Sequence, residues 1–159
     1  MPEVVGIEPD ARTAARARDT VTETQNATVR DEPFDPAAFG EATFDLVTFV
    51  AVLHHLPLEQ TLKDARSLLR PGGRLVVVGL AREAPTDLPW SVTSLLLNPL
   101  IGLVRHPRRA LEVPSSMTAP TSEPMETFDQ IASIARRVLP GVRMRRGLFW
   151  RYTAVWVRG

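Results

Sequence analysis

The run Phe44-Asp45-Leu46-Val47-Thr48-Phe49-Val50-Ala51-Val52-Leu53-His54-His55-Leu56-Pro57 constrains the fold of this chain more than any other stretch. Its β-branched and aromatic content reads as a strand covered on both faces, over Asp45 to Leu53, ending in a polar pair. One helix length later comes Pro71-Gly72-Gly73-Arg74-Leu75-Val76-Val77-Val78, a helix stop that feeds a second buried strand over Leu75 to Gly79. Between them Leu58, Leu62, Ala65 and Leu69 recur at helical spacing on one face. Strand, helix, strand with apolar strands is the unit of a parallel sheet.

The flanks extend that pattern. Val4-Val5-Gly6-Ile7 is a short apolar strand ending at Glu8-Pro9-Asp10, and Asp10 is placed to N-cap a helix from Ala11 to about Arg18. Thr28-Val29-Arg30 reads as a further short strand, and Asp35 to Gly40 as at most one helical turn. Downstream, Pro124 stands at the start of a helix with apolar positions Phe128, Ile131, Ala135 and Val138, ended by Pro140-Gly141. The alternating segments 142–145 and 152–157 form a closing antiparallel hairpin. The expected fold is α/β, a Rossmann-like three-layer sandwich with a mostly parallel sheet and a C-terminal antiparallel hairpin.

Composition narrows the chemistry. A chain of 159 residues, 44% hydrophobic and 23% charged, is one domain with one proper core. A net charge of +1 gives no reason to invoke nucleic acid; the arginines of the last third read as a solvated face. There is no cysteine, hence no disulfide, thiolate metal site or cysteine nucleophile, and Lys63 is the single position for Schiff-base chemistry. Glu3 and Glu8 stand where a signal peptide needs a basic and apolar start, so a cytoplasmic protein is expected. The apolar segment from Val92 to Val104 is too short and broken for a membrane span.

Glu8 ends a buried strand just before a helix, where nucleotide-binding α/β domains hold ribose hydroxyls; it equally suits a charge beside the helix dipole. His54 and His55 at a strand-to-helix corner suit turn or capping hydrogen bonds, and either imidazole has the pKa range of a general base. His106 is the only further histidine, so no metal site is expected.

With these residues in view, the chain resembles the class I S-adenosylmethionine-dependent methyltransferases, in the broad group that alkylates small molecules. The resemblance rests on the acid-ended first strand, on the strand end at Val50 to Pro57 with its His-His-Leu-Pro wording, and on Pro71-Gly72-Gly73. It implies that Glu8 and Pro9 lie at the ribose of S-adenosyl-L-methionine and that Asp31 meets the adenine amine, with Glu32 a competitor for that role. It implies main-chain contacts from Val50 and Ala51 to the methionine side, with His55 beside them and His54 toward the substrate. The chain carries no Asn/Asp-Pro-Pro-Tyr motif, which implies a small-molecule acceptor rather than a DNA base or glutamine. Segment 85–124, with Trp90, falls where the family inserts its substrate cap and would suit an apolar substrate; an ordinary amphipathic packing element is the alternative.

Family members open with a strand and a Gly-x-Gly-x-Gly loop, and no Gly-x-Gly occurs in this chain. The expectation is therefore an N-terminally truncated methyltransferase-like domain over 1–159, lacking its first strand and helix and binding the cofactor weakly by itself. A slot would then open between the strands holding Val5 and Val50, for which a partner chain completing the sheet is one remedy. Two other functional readings stand beside methyl transfer. One is a non-catalytic remnant acting as a binding module; the other, prompted by Glu8 alone, is a nicotinamide-dependent oxidoreductase.

Overall fold

Every strand expected from the sequence is present in the computed structural model, which describes residues 2–82, 124–147 and 151–159. The elements are β1 (Val4–Ile7), α1 (Ala11–Val21), β2 (Ala27–Arg30), β3 (Phe44–Val50), α2 (Leu58–Leu68), β4 (Leu69–Leu80), α3 (Phe128–Val138), β5 (Arg143–Arg146) and β6 (Arg151–Val157). Single 3-10 turns lie at Pro36–Ala38 and Leu53–His55. The chain divides into two units, Met1–Phe39 and Gly40–Gly159.

In the first unit β1 and β2 run parallel in the register Val4↔Ala27 to Ile7↔Arg30, a pairing that needs the α1 crossover. Asp10 caps α1 as expected: its carboxylate accepts from the backbone N–H of Thr13 at 2.8 Å. The Thr13 hydroxyl, which donates to the same oxygen at 2.7 Å, and then the Thr13 N–H, with Arg12 and Arg16 nearby, hold the Asp10 carboxyl below the usual carboxylate range. The helix runs to Val21, past the expected end near Arg18, and Ala14 is its fully buried residue.

The second unit is a four-stranded sheet in the order β3-β4-β6-β5. β3 and β4 are parallel; β6 runs antiparallel to both β4 and β5, and β5-β6 is the expected closing hairpin. One face carries the core. From β4 come Leu75 and Val77, from β6 Tyr152, Ala154 and Trp156, and against them lie Leu62 and Ala65 of α2 and Ile131 and Ala135 of α3. The opposite face of β3 is open, with Leu46 54% and Val50 67% exposed. A void of about 10 Å³ between sheet and helices, lined by side chains such as Leu62, Leu75 and Trp156, has room for no more than one water.

Three boundaries differ from the sequence reading. β3 stops at Val50 instead of Leu53, because Ala51 takes the left-handed conformation (φ 53°) and the chain turns into the 3-10 turn. Pro71-Gly72-Gly73 does not stop α2, which ends at Leu68; it lies inside β4, where the β3 register jumps from Phe44↔Leu69 to Leu46↔Arg74. A bulge needs a backbone of this kind: Gly72 is at φ 79°, and a Cβ on Gly73 would meet the carbonyl of Arg70 at 2.8 Å. Pro124 lies ahead of α3 and does not begin it. Thr127 is the N-cap, in a reciprocal capping box with Gln130.

Arg158 locks the bulge to the end of α2. Its N–H donates to Gly73 O at 2.9 Å, and its guanidinium donates to the carbonyls of Arg66 and Ser67 at 3.1 Å and to that of Leu69. A cation there also opposes the partial negative charge of the helix C-terminus.

Tyr152 offers a direct test of the core. Burial, helped by the Glu126 carboxylate, pushes its phenol up to about 12 from the ordinary 10.0. The unfolded chain therefore releases this proton first, and stability is expected to fall as pH rises from about 10 to about 12. Tyr152 is the only tyrosine, so phenolate absorbance reports it alone. The folded protein should titrate well above the denatured chain, and Tyr152→Phe should flatten the alkaline stability loss. Coincident titration curves would mean that the ring is solvated.

Candidate functional site

The parallel register of the first unit places two acids side by side. Ile7 pairs with Arg30, so Glu8 and Asp31 follow the carboxyl ends of adjacent parallel strands. The backbone N–H of Glu8 donates to Arg30 O at 3.1 Å, extending the ladder by one bond. One carboxylate oxygen of half-buried Glu8 accepts from the N–H of Asp10 at 2.9 Å. That bond fixes the carboxylate at the entry to α1 and leaves its second oxygen for a ligand. Pro9 sets the turn between them.

Asp31 is exposed and lies 3.8 Å from the Arg18 guanidinium, an ion pair from the last turn of α1. Glu32, its competitor, lies 3.5 Å from Arg30, whose guanidinium also stands over the Phe39 ring at 5.0 Å. Both acids thus have arginine neighbours at the surface, where such pairs are weak and exchangeable.

In the second unit the candidate residues gather at the carboxyl end of β3. Val50 pairs with Val78, and the Ala51 N–H donates to Val78 O at 2.7 Å. The left-handed backbone of Ala51 is uncommon for a residue with a Cβ and costs of order 1 kcal/mol. It swings the chain off the sheet into the Leu53–His55 turn, closed by His55 N–H to Val52 O at 3.0 Å and Leu56 N–H to Leu53 O at 3.2 Å. Buried Leu53 anchors the turn to the core.

The two imidazoles are tilted against each other, 4.0 Å between centroids. The Nδ1 of His54 is buried and has no hydrogen-bond partner among the described residues. Burial first, and then the charge of His55, lowers the His54 pKa from the ordinary 6.5. Among the described residues the His54 side chain makes no turn or capping bond.

Trp90 and residues 85–123 of the 85–124 segment lie outside the described residues. Neither the Ala51 conformation nor the unpartnered His54 nitrogen is legible from residue types alone. Alanine carries no left-handed preference, and burial of one ring atom depends on the neighbouring fold. Among the described residues no cluster of His, Cys, Asp and Glu is arranged to hold a metal ion.

Comparison with known proteins bears on this arrangement. A methyltransferase-domain family model matches residues 2–77. An uncharacterized methyltransferase of Mycobacterium tuberculosis is 30% identical over 159 residues, covering 98% of this chain and 76% of its own. The chain belongs to the methyltransferase family. Solved structures carry the fold likeness: a SAM-dependent methyltransferase from Aquifex aeolicus aligns with a TM-score of 0.59 at 13% identity, over 99% of this chain and 69% of its own. The CurJ carbon methyltransferase aligns at 0.63 and 17% identity, over 99% of this chain and 42% of its own. This methyltransferase shares the α/β Rossmann-like fold of its structural neighbours. Among the described residues no helix is long and apolar enough to cross a membrane.

Proposed function

We propose that this methyltransferase uses S-adenosyl-L-methionine to alkylate a small-molecule acceptor. The observation that carries the reading is the paired strand end of the first unit, where Glu8 and Asp31 follow Ile7 and Arg30 in one parallel register. A carboxylate with one oxygen fixed by a backbone N–H and one oxygen free is suited to the vicinal hydroxyls of a ribose. Asp31 is one strand away, able to exchange its Arg18 contact for an adenine amine. Pro9 shapes the chain beside the ribose.

In the second unit Val50 and Ala51 offer main-chain groups at the β3 end, and His55 flanks them. These are the residues assigned to the methionine side. Methyl transfer asks for little covalent help from the protein. The bound sulfonium cofactor supplies an activated methyl group, and the chain's residues hold the acceptor in line and exclude water. His54 and Trp90 are assigned to the acceptor.

The test is binding of S-adenosylhomocysteine, followed by amide shifts so that a weak complex is still seen. Shifts at Glu8, Asp31 and Ala51 are expected. A response to a nicotinamide dinucleotide and none to S-adenosylhomocysteine would move the protein to the oxidoreductases. No response to either would leave a non-catalytic binding module.

A further inference from the structure

His54 presents a choice between two chemistries, and its two nitrogens decide it. A neutral imidazole carries one N–H and one lone pair; a general base needs its lone pair on the nitrogen that reaches the substrate. In this turn Nδ1 is buried without a partner among the described residues, which leaves Nε2 as the nitrogen for an outside group. If Nε2 carried the lone pair, the hydrogen would sit on Nδ1 as a buried donor with no acceptor. Orphaned buried N–H groups are among the rarest features of folded proteins, whereas an under-used acceptor is better tolerated. The imidazolium is disfavoured on the same ground, since it too places a hydrogen on Nδ1.

We infer that His54 is held as the neutral Nε2–H tautomer and acts as a hydrogen-bond donor to an oxyanion of the methyl acceptor, not as the base that deprotonates it. The consequence concerns the substrate class. An acceptor that His54 does not deprotonate arrives already ionised at oxygen, as a carboxylate or an electron-poor phenol does near neutral pH. The depressed basicity of the ring agrees with this geometry, since burial and the neighbouring His55 both oppose a second proton. The 4.0 Å approach of the two rings holds the His54 plane, so the donor points from a defined position on the 3-10 turn.

The inference rests on the methyltransferase reading for the identity of the ligand, but the tautomer is a property of the free protein. Nitrogen-15 spectra of the histidine rings therefore come first. His54 is expected to show a protonated Nε2 and an unprotonated Nδ1 at neutral pH, and to remain neutral at pH values where a free imidazole is half charged. A protonated Nδ1, or an ordinary titration, overturns the proposal whether or not any cofactor binds.

The ligand arm uses 4-nitrophenolate as the oxyanion, with saturating S-adenosylhomocysteine. The Nε2–H signal should move on adding the phenolate and should not move with S-adenosylhomocysteine alone. Movement with S-adenosylhomocysteine alone, unaltered by phenolate, would assign the donor to the cofactor carboxylate and overturn the acceptor role. No movement with either would overturn donation altogether. Failure of S-adenosylhomocysteine to shift Glu8 and Ala51 is the separate failure of the methyltransferase reading. His54→Gln keeps an amide N–H near the Nε2 position and should hold phenolate within about threefold of wild type, while His54→Asn and His54→Ala lose about tenfold, the worth of one charge-assisted bond. Equal loss in all three variants would count against a donor.

Discussion

Gly79→Ala is expected to destabilise the protein by about 3 kcal/mol, the upper end of the usual overpacking cost. Gly79 of β4 sits directly opposite Tyr152 of β6, and a methyl group built on it would overlap the Tyr152 ring at Cζ, Cε1 and the hydroxyl. The ring has little room to retreat. It is 2% exposed and packs edge-on against Phe128 at 6.2 Å. For a chain of this size the shift in the thermal midpoint is roughly 2–4 °C per kcal/mol, so a fall of about 6–12 °C is expected. A double-mutant cycle with Tyr152→Leu separates steric overlap from loss of backbone freedom. Truncating the ring should return more than 1 kcal/mol of the Gly79→Ala cost, as expected for residues in direct contact. An equal cost in both backgrounds would place the strain elsewhere.

The second large effect concerns the proposed cofactor. Glu8→Ala should raise the dissociation constant for S-adenosylhomocysteine about ten- to hundredfold, the range of losing hydrogen bonds to an ionised group worth about 1.5–3 kcal/mol. Glu8→Gln is the sharper variant. It keeps an oxygen for the Asp10 N–H, so the turn into α1 should survive, while the second vicinal hydroxyl loses its charged acceptor. Glu8→Gln should therefore bind at an intermediate level with an unchanged thermal midpoint. In a weakly binding chain the same effect reads as failure to saturate at a ligand concentration that saturates the wild type. Unchanged affinity in both variants would remove Glu8 from the site and leave it a helix-entry charge.

How far the sequence disclosed this depends on the kind of information each element needed. β3 and the core strand of β4 were legible because consecutive β-branched residues leave few alternatives to a buried strand. Asp10 was legible as a cap because its role is local, acting three residues away. The Pro71-Gly72-Gly73 stretch misled because its residue types suit both a helix stop and a bulge. The choice is made by Arg158, far along the chain, whose bonds to Gly72 and Gly73 bring those residues into the sheet. The same holds at the candidate site. Glu8 and Asp31 were visible as strand-end acids, but their adjacency depends on the β1-β2 register, and the buried His54 nitrogen depends on how the turn is seated over Leu53.

The place of β4 in its sheet sets an order on assembly. β3 and β4 are near neighbours in sequence, joined by α2, and can pair as soon as both have left the ribosome. β6 comes far later, yet it takes the other side of β4 and brings Tyr152, Ala154 and Trp156 to the core. Until then β4 has a free edge lined by apolar residues, the kind of surface that recruits other chains. The nascent protein should therefore depend on chaperones for the interval between completion of β4 and arrival of β6. Ribosome-bound chains stalled within that interval should be protease-sensitive across β4, and protection should come in one step once β6 emerges.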